Sequence, residues 1–192
     1  MNKKKPHIIL ASNSPRRKQL LEQIDLSFDI IPSKIYEDFS IDLNPKAFAQ
    51  HYAKAKACDL AKNYPNALVI GADTIVVFDG QILGKPKDEE DSVRMLSMLS
   101  GQTHAVITGV SLQWENEQIS ETFCESTKVT FRPLSKSDIL HYIKIYQPFD
   151  KAGSYGIQDW FSVCVEKING DFYNVMGFPL SAFYQKFRGI ID

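Results

Sequence analysis

With 192 residues, 44% of them hydrophobic and 23% charged, the chain is long enough for one domain, or two intimately packed lobes, around a sizeable core. A formal net charge of −1 lacks the basic footprint of a nonspecific nucleic-acid binder, and no membrane partner is expected. Three widely spaced cysteines (Cys58, Cys124, Cys164) and four scattered histidines argue against a disulfide framework or a zinc cage.

The basic start, Met1 to His7, precedes only a short apolar run. That run is too short for a signal peptide or a membrane span, so the reading is cytoplasmic. No repeat, low-complexity run or linker sets a boundary, and residues 1–192 are taken as a single domain. Ile8 to Ala11 reads as a short buried strand. Ser14 and Pro15 read as the cap and first residue of a helix whose apolar face is Leu20, Leu21 and Ile24. Ser12, Ser14, free helical N–H groups, Arg16 and Arg17 therefore gather where strand meets helix. They form either an anion site or a capped helix with two solvated arginines.

Phe28 to Ile31 predicts a second strand, followed by a polar loop carrying Glu37 and Asp38. Asn44-Pro45 opens a helix reaching about Asn63. At about 100° per residue, Ala49, Ala53, Lys56 and Leu60 fall on one arc. Lys56 must then snorkel, pair with a carboxylate or meet a ligand anion. Leu68-Val69-Ile70 is a buried strand ending in Gly71-Ala72-Asp73-Thr74, and a second apolar run, Ile75 to Phe78, comes directly after it. Asp73 is either a solvated kink between strands or a carboxylate that is paired, metal-bound or catalytic.

Asp79-Gly80 signals a type I′ hairpin with return strand Gln81-Ile82-Leu83. Such a hairpin can bring Lys85 back toward Asp73, as an ion pair or as two groups sharing a phosphate and its metal. Asp88 begins an acid-rich helix that Gly101 ends. Ala105 to Trp114 reads as a half-buried strand, antiparallel to Phe123 to Phe131. Ser135 caps a helix through Ile139, Tyr142 and Ile143. Pro148 to Gln158, with two glycines, a lysine, hydroxyls and an amide, has the composition of a ligand-lining loop. Phe161 to Ile168 and Phe172 to Val175 predict a hairpin turning at Asn169-Gly170. A last helix packs through Leu180, Phe183, Tyr184 and Phe187. Early alternation and late hairpins give an α/β fold with a mixed, twisted sheet and flanking helices.

Several segments together resemble the Maf family of nucleoside triphosphate pyrophosphatases. They are Leu10-Ala-Ser-Asn-Ser-Pro-Arg-Arg17, Ala53-Lys-Ala-Lys56-Ala57, Gly71-Ala-Asp-Thr74 and Gly84-Lys-Pro86. Leu99-Ser-Gly-Gln-Thr-His104, Asp150-Lys-Ala-Gly-Ser-Tyr-Gly-Ile-Gln158 and Val175-Met-Gly-Phe-Pro179 continue the set in family order. The resemblance implies two lobes around a central cleft, akin to inosine triphosphate pyrophosphatases. It also implies hydrolysis of a nucleoside triphosphate between the α- and β-phosphates with a divalent cation, Mg²⁺ or Mn²⁺, and it allows a homodimer.

Carried over residue by residue, the catalytic positions are Asp73, Glu37, Lys56 and Lys85, with Asp73 and Glu37 on the metal. The substrate-binding positions are Ser12, Arg16, Arg17, Thr74 and Gln158. The dTTP- and UTP-preferring subgroup is most similar, with specificity positions at Arg16, Thr74 and Gln158. One departure stands out: relatives usually continue Gly-Ile-Gln with glycine, whereas Asp159-Trp160 stands here. The competing class is a non-catalytic nucleotide or nucleic-acid binding regulator of septum formation and cell division. The acidic pair favours the enzyme, because a plain phosphate-binding module has no need of carboxylates beside its cations.

Overall fold

In the computed structural model, residues 6–191 are described, so the lysine-rich start at 1–5 lies outside the described residues. The early alternation is present as β1 (His7–Leu10), α1 (Pro15–Glu22), β2 (Asp29–Ile30), α2 (Pro45–Ala61) and β3 (Ala67–Phe78). After it come β4 (Gln81–Leu83), α3 (Glu89–Leu99), β5 (Thr103–Trp114), β6 (Ile119–Phe131) and α4 (Lys136–Tyr146). The chain ends with β7 (Val165–Asn169), α5 (Phe172–Met176) and α6 (Leu180–Ile191), and 3-10 turns occupy Pro148–Asp150, Ala152–Ser154 and Trp160–Cys164. The sheet is mixed, in the order β2-β1-β3-β5-β6-β7 with β4 on β3. β1 runs parallel to β2 and β3, whereas β3–β4 and β6–β7 are antiparallel.

Local chemistry sets the helix starts. Ser14, Asn44 and Asp88 each accept a hydrogen bond from a backbone N–H inside the first turn, and Pro15 and Pro45 sit where a missing N–H costs nothing. Ser135 and Asp138 form a reciprocal capping box at the start of α4.

Two compact units divide the chain. The first comprises Met1–Thr74, Thr108–Glu125 and Gly177–Asp192, and the second Ile75–Ile107 and Ser126–Met176. In the first, α2 packs Ala57, Leu60 and Ala61 against Ile9, Ala11, Ala67 and Val69. Contact is close enough that two strand residues can only be glycine. A Cβ on Gly71 would collide with the Ala53 carbonyl and lie 2.7 Å from the Ala57 nitrogen, and one on Gly109 would collide with the Ala49 carbonyl. In the second unit the core is aromatic. Phe131, Tyr155 and Phe161 surround one another with ring centroids 4.8–5.3 Å apart, and His104 lies edge-on to Phe131 at 4.6 Å.

Five expectations change. β3 runs unbroken from Ala67 to Phe78, so Asp73 is a mid-strand residue rather than a kink, in keeping with the lack of any turn dipeptide there. β2 shrinks to two residues. β5 is buried on nearly every residue instead of on one face, with Thr108, Ser111 and Gln113 inside. The predicted hairpin after Phe161 is replaced by the 3-10 turn, β7 and α5. Asp159 caps the turn by accepting from the Phe161 N–H, and Asp171 accepts from the Tyr173 N–H to start α5. Tyr184 is 42% exposed and lies outside the core face of α6.

Candidate active site

The first unit gathers two adjoining clusters. One is built on α2. Because α2 sits against Gly71, the Lys56 side chain reaches the strand residue two positions on. Its Nζ donates to Asp73 Oδ1 at 2.7 Å and to Glu37 Oε1 at 2.5 Å. Lys56 therefore pairs with carboxylates; it does not snorkel. The Lys56 side chain is 13% exposed, Glu37 25% and Asp73 3%. One cation thus serves two carboxylates largely out of water, a costly arrangement for each ion unless all are paired.

Asp73 Oδ2 is buried and has no hydrogen-bond partner. Burial raises the Asp73 pKa above the ordinary carboxylate range, with Lys56 opposing that rise and Glu37 adding to it.

Glu37 is held in place by contacts that sequence reasoning missed. The Tyr52 hydroxyl accepts from the Asp38 N–H at 2.7 Å and donates to the Asp38 carbonyl at 3.1 Å. Asp59 accepts from the Ser33 hydroxyl and the Lys34 N–H, both at 3.0 Å. Tyr52, Lys56 and Asp59 stand four and three residues apart, hence on one face of α2. The helical period that singled out Lys56 would have flagged both anchors.

The second cluster centres on Arg17. Its Nε donates to the Gly177 carbonyl at 3.0 Å, Nη1 to Ser12 Oγ at 3.1 Å and Nη2 to Thr74 Oγ1 at 3.1 Å. Thr74 Oγ1 also meets Thr108 Oγ1 at 3.0 Å and donates to the Gly177 carbonyl at 3.3 Å. Ser12 Oγ accepts from the Ser14 N–H at 3.2 Å. Desolvation lowers the Arg17 pKa, while Asp73 and Glu37 counter it, and a guanidinium stays charged under such conditions. Ser12, Arg17 and Thr74 are thus one hydrogen-bonded set joining β1, α1 and β3. Thr108 and the Gly177 carbonyl complete it, and neither carries a sequence signal that periodicity could reveal.

Arg16 stands beside Arg17 on α1, half-buried. Lys85 and Gln158 belong to the second unit, and both are exposed. The β3–β4 ladder runs from Phe78↔Gln81 to Val76↔Leu83. The cation on Asp73 is Lys56 from a helix, in place of the hairpin pairing with Lys85 that the sequence suggested.

A family model described as Maf-like protein matches residues 7–190. The chain belongs to the Maf family. A dTTP/UTP pyrophosphatase of Bacillus pumilus is 49% identical over 91% of this chain and 91% of its own. One from Bacillus velezensis is 48% identical at the same coverage, and one from Thermosipho africanus is 48% identical over 96% of this chain and 95% of its own. Among solved structures, a nucleoside-triphosphatase described as a dITP/XTP pyrophosphatase, from Mycobacterium abscessus, aligns at TM-score 0.48 and 12% identity over 96% of this chain and 95% of that one.

The donor set of this Maf chain suits a hard divalent cation. Asp73 and Glu37 offer only oxygen, and Asp73 Oδ2 is a buried acceptor left without a protein partner. Among the described residues no three His, Cys, Asp or Glu side chains converge as a cage. Mg²⁺ and Mn²⁺ need none, since one or two carboxylates plus substrate phosphates and waters complete their octahedron. No described helix is long and apolar enough to cross a membrane.

Proposed function

We propose that this chain hydrolyses dTTP and UTP between the α- and β-phosphates, giving the nucleoside monophosphate and pyrophosphate, and so polices the nucleotide pool of the cytoplasm. Relatives 48–49% identical over nine-tenths of the chain, named dTTP/UTP pyrophosphatases, support the substrate. The observation that carries the chemistry is Asp73, a buried carboxylate with one oxygen tied to Lys56 and the other without a partner.

Asp73 Oδ2 orients a water and takes its proton as the water oxygen bonds to the α-phosphorus. The bridging bond from that phosphorus to the β-phosphate oxygen breaks, and pyrophosphate leaves with the electron pair. A pKa raised by burial suits a group that must hold a proton in passing. Lys56 keeps Asp73 and Glu37 in register and adds positive charge beside the reacting phosphate. Arg16, Arg17 and Lys85 supply further charge to the triphosphate, Arg in a planar fork and Lys as a point charge. Gln158 and Thr74 read the pyrimidine edge through its carbonyls and N–H. A divalent cation held by Asp73 and Glu37 would neutralise phosphate charge and acidify the attacking water. A non-catalytic regulator is the weaker reading, because binding alone gives no use for a buried, half-partnered carboxylate.

The test is pyrophosphate release from a panel of nucleoside triphosphates with Mg²⁺, Mn²⁺ or EDTA. Metal-dependent release greatest with dTTP and UTP is expected. A folded protein that releases pyrophosphate from none of them would sink the reading.

A further inference from the structure

The departure at Asp159 has a physical counterpart. Gly156, Ile157, Gln158 and Asp159 form a turn closed by the Asp159 N–H donating to the Gly156 carbonyl at 3.4 Å. Tyr142 on α4 bridges the two ends of that turn. Its hydroxyl accepts from the Gly156 N–H at 2.9 Å and donates to Asp159 Oδ2 at 3.0 Å. The other carboxylate oxygen accepts from the Phe161 N–H at 3.0 Å, tying the turn to the neighbouring 3-10 segment. The carboxylate also lies directly over Gly156, where a Cβ would stand 2.5 Å from Oδ2.

Within the closed turn Ile157 is buried, 3% exposed, and Gln158 is exposed. The opposite facing of these neighbours leaves Gln158 as the corner that the turn presents outward. Tyr142 itself is fully buried, stacked on Trp160 at 6.1 Å and edge-on to Phe161 at 4.8 Å, so its ring cannot swing away. Burial, with the charge of Asp159, pushes the Tyr142 hydroxyl pKa up, which keeps it a donor at any physiological pH.

We propose that Tyr142 and Asp159 are positioning residues for base selection: their clamp on the Gly156–Asp159 turn fixes the amide of Gln158 toward the pyrimidine. This rests on the reading of Gln158 as a base-reading residue. Where a glycine comes after the glutamine, the turn lacks this side-chain strut. In this chain selectivity therefore depends on two residues that never touch the nucleotide.

The experiment compares kcat and KM for dTTP, UTP, CTP and GTP in wild type, Tyr142→Phe, Asp159→Ala, the double variant and Gln158→Ala, below their melting temperatures. Tyr142→Phe keeps the ring and deletes only the bridging hydroxyl. It should raise KM for dTTP and UTP about tenfold, leave kcat within about twofold and lower discrimination against GTP by the same factor as KM, the scale of one lost hydrogen bond. Asp159→Ala should do the same, and the double variant should lose no more than either single one, because both break one clamp. A residue that serves only stability would lower Tm and leave the dTTP-to-GTP ratio of kcat/KM unchanged, and that result overturns the proposal. If Gln158→Ala itself leaves the ratio unchanged, the base-reading assignment has failed instead, and the two failures are told apart.

Discussion

The two units are ordered by different means. In the first, Lys56 joins Asp73 to Glu37, and Arg17 joins Ser12, Thr74 and the Gly177 carbonyl. Order there comes from charges taken partly out of water. In the second, neutral groups on aromatic packing order the core, while the Tyr142 clamp on the loop ends on the Asp159 carboxylate. Tyr155 meets His104 Nε2 at 2.8 Å, and the Ser154 and Ser92 hydroxyls are in close contact. A paired charge is costly to bury but can act on a substrate, whereas a neutral anchor on aromatic packing stabilises and does little chemistry. The first arrangement should therefore give up activity without giving up the fold, and the His104–Tyr155 contact in the second should do the reverse.

The sharpest way to break that contrast is Asp73→Asn. A folded-state pKa raised by burial means that the folded chain holds the proton more tightly than the unfolded one. Above that folded pKa the ionised carboxylate works against folding, and below the unfolded value of 3.8 the penalty is gone. Asparagine removes the ionisation and still offers Lys56 an acceptor. Turnover should fall about 10³-fold, the usual scale for losing a positioned proton acceptor. Thermal melting at pH 7 should show a Tm no lower than wild type. A variant that retains most of kcat would remove Asp73 from the chemistry, and one that melts markedly lower would place it among structural ion pairs.

What the sequence made legible was local. Caps at Ser14, Asn44 and Ser135 depend on a side chain and the next few amides, and all three form as their residues dictate. Lys56 could be singled out because α-helical periodicity is also local. Partnership was not legible. Hairpin register pointed Asp73 toward Lys85, but its cation comes from α2, and only the collision a Cβ at Gly71 would make with Ala53 explains how near that helix lies.

The Asn169-Gly170 signal failed for a similar reason. Thr127 Oγ1 accepts from the Asp171 N–H and donates to the Asp171 carbonyl, both at 3.0 Å, so a residue some forty positions away sets the path of the chain beyond the turn. The Asp159 departure was visible in the chain. Its role was not, because Tyr142 reaches it from another helix.

His104 sharpens the other side of the comparison. It is 3% exposed, and burial alone lowers its pKa from the ordinary 6.5 to about 4. A depressed histidine pKa favours the fold fully above pH 6.5 and loses that contribution as pH falls from 6.5 toward 4. The full loss is roughly 3 kcal/mol, since each unit of pKa corresponds to about 1.4 kcal/mol. Denaturant melts at pH 7, 5.5 and 4 should show wild type weakening along that window. His104→Gln, whose amide can still meet the Tyr155 hydroxyl, should lose much of the slope. An unchanged slope would mean that the acid sensitivity arises among the carboxylates of the first unit instead.

The smallest effect tests whether the charged cluster depends on its helix as a whole or only on the close strand contact. Asn44 Oδ1 accepts from the Ala47 N–H at 3.0 Å, three turns of α2 before Lys56. Replacing such a cap with alanine costs about 1 kcal/mol. Ala53 and Ala57 flank Lys56 and rest against Gly71, so its position is set by packing that Asn44 does not touch. Asn44→Ala should lower the denaturation midpoint modestly and leave kcat/KM for dTTP unchanged at temperatures where the variant is folded. A matching loss of activity would show that fraying at the start of α2 reaches Lys56, and that the charged site draws its order from the same local stability as the neutral one.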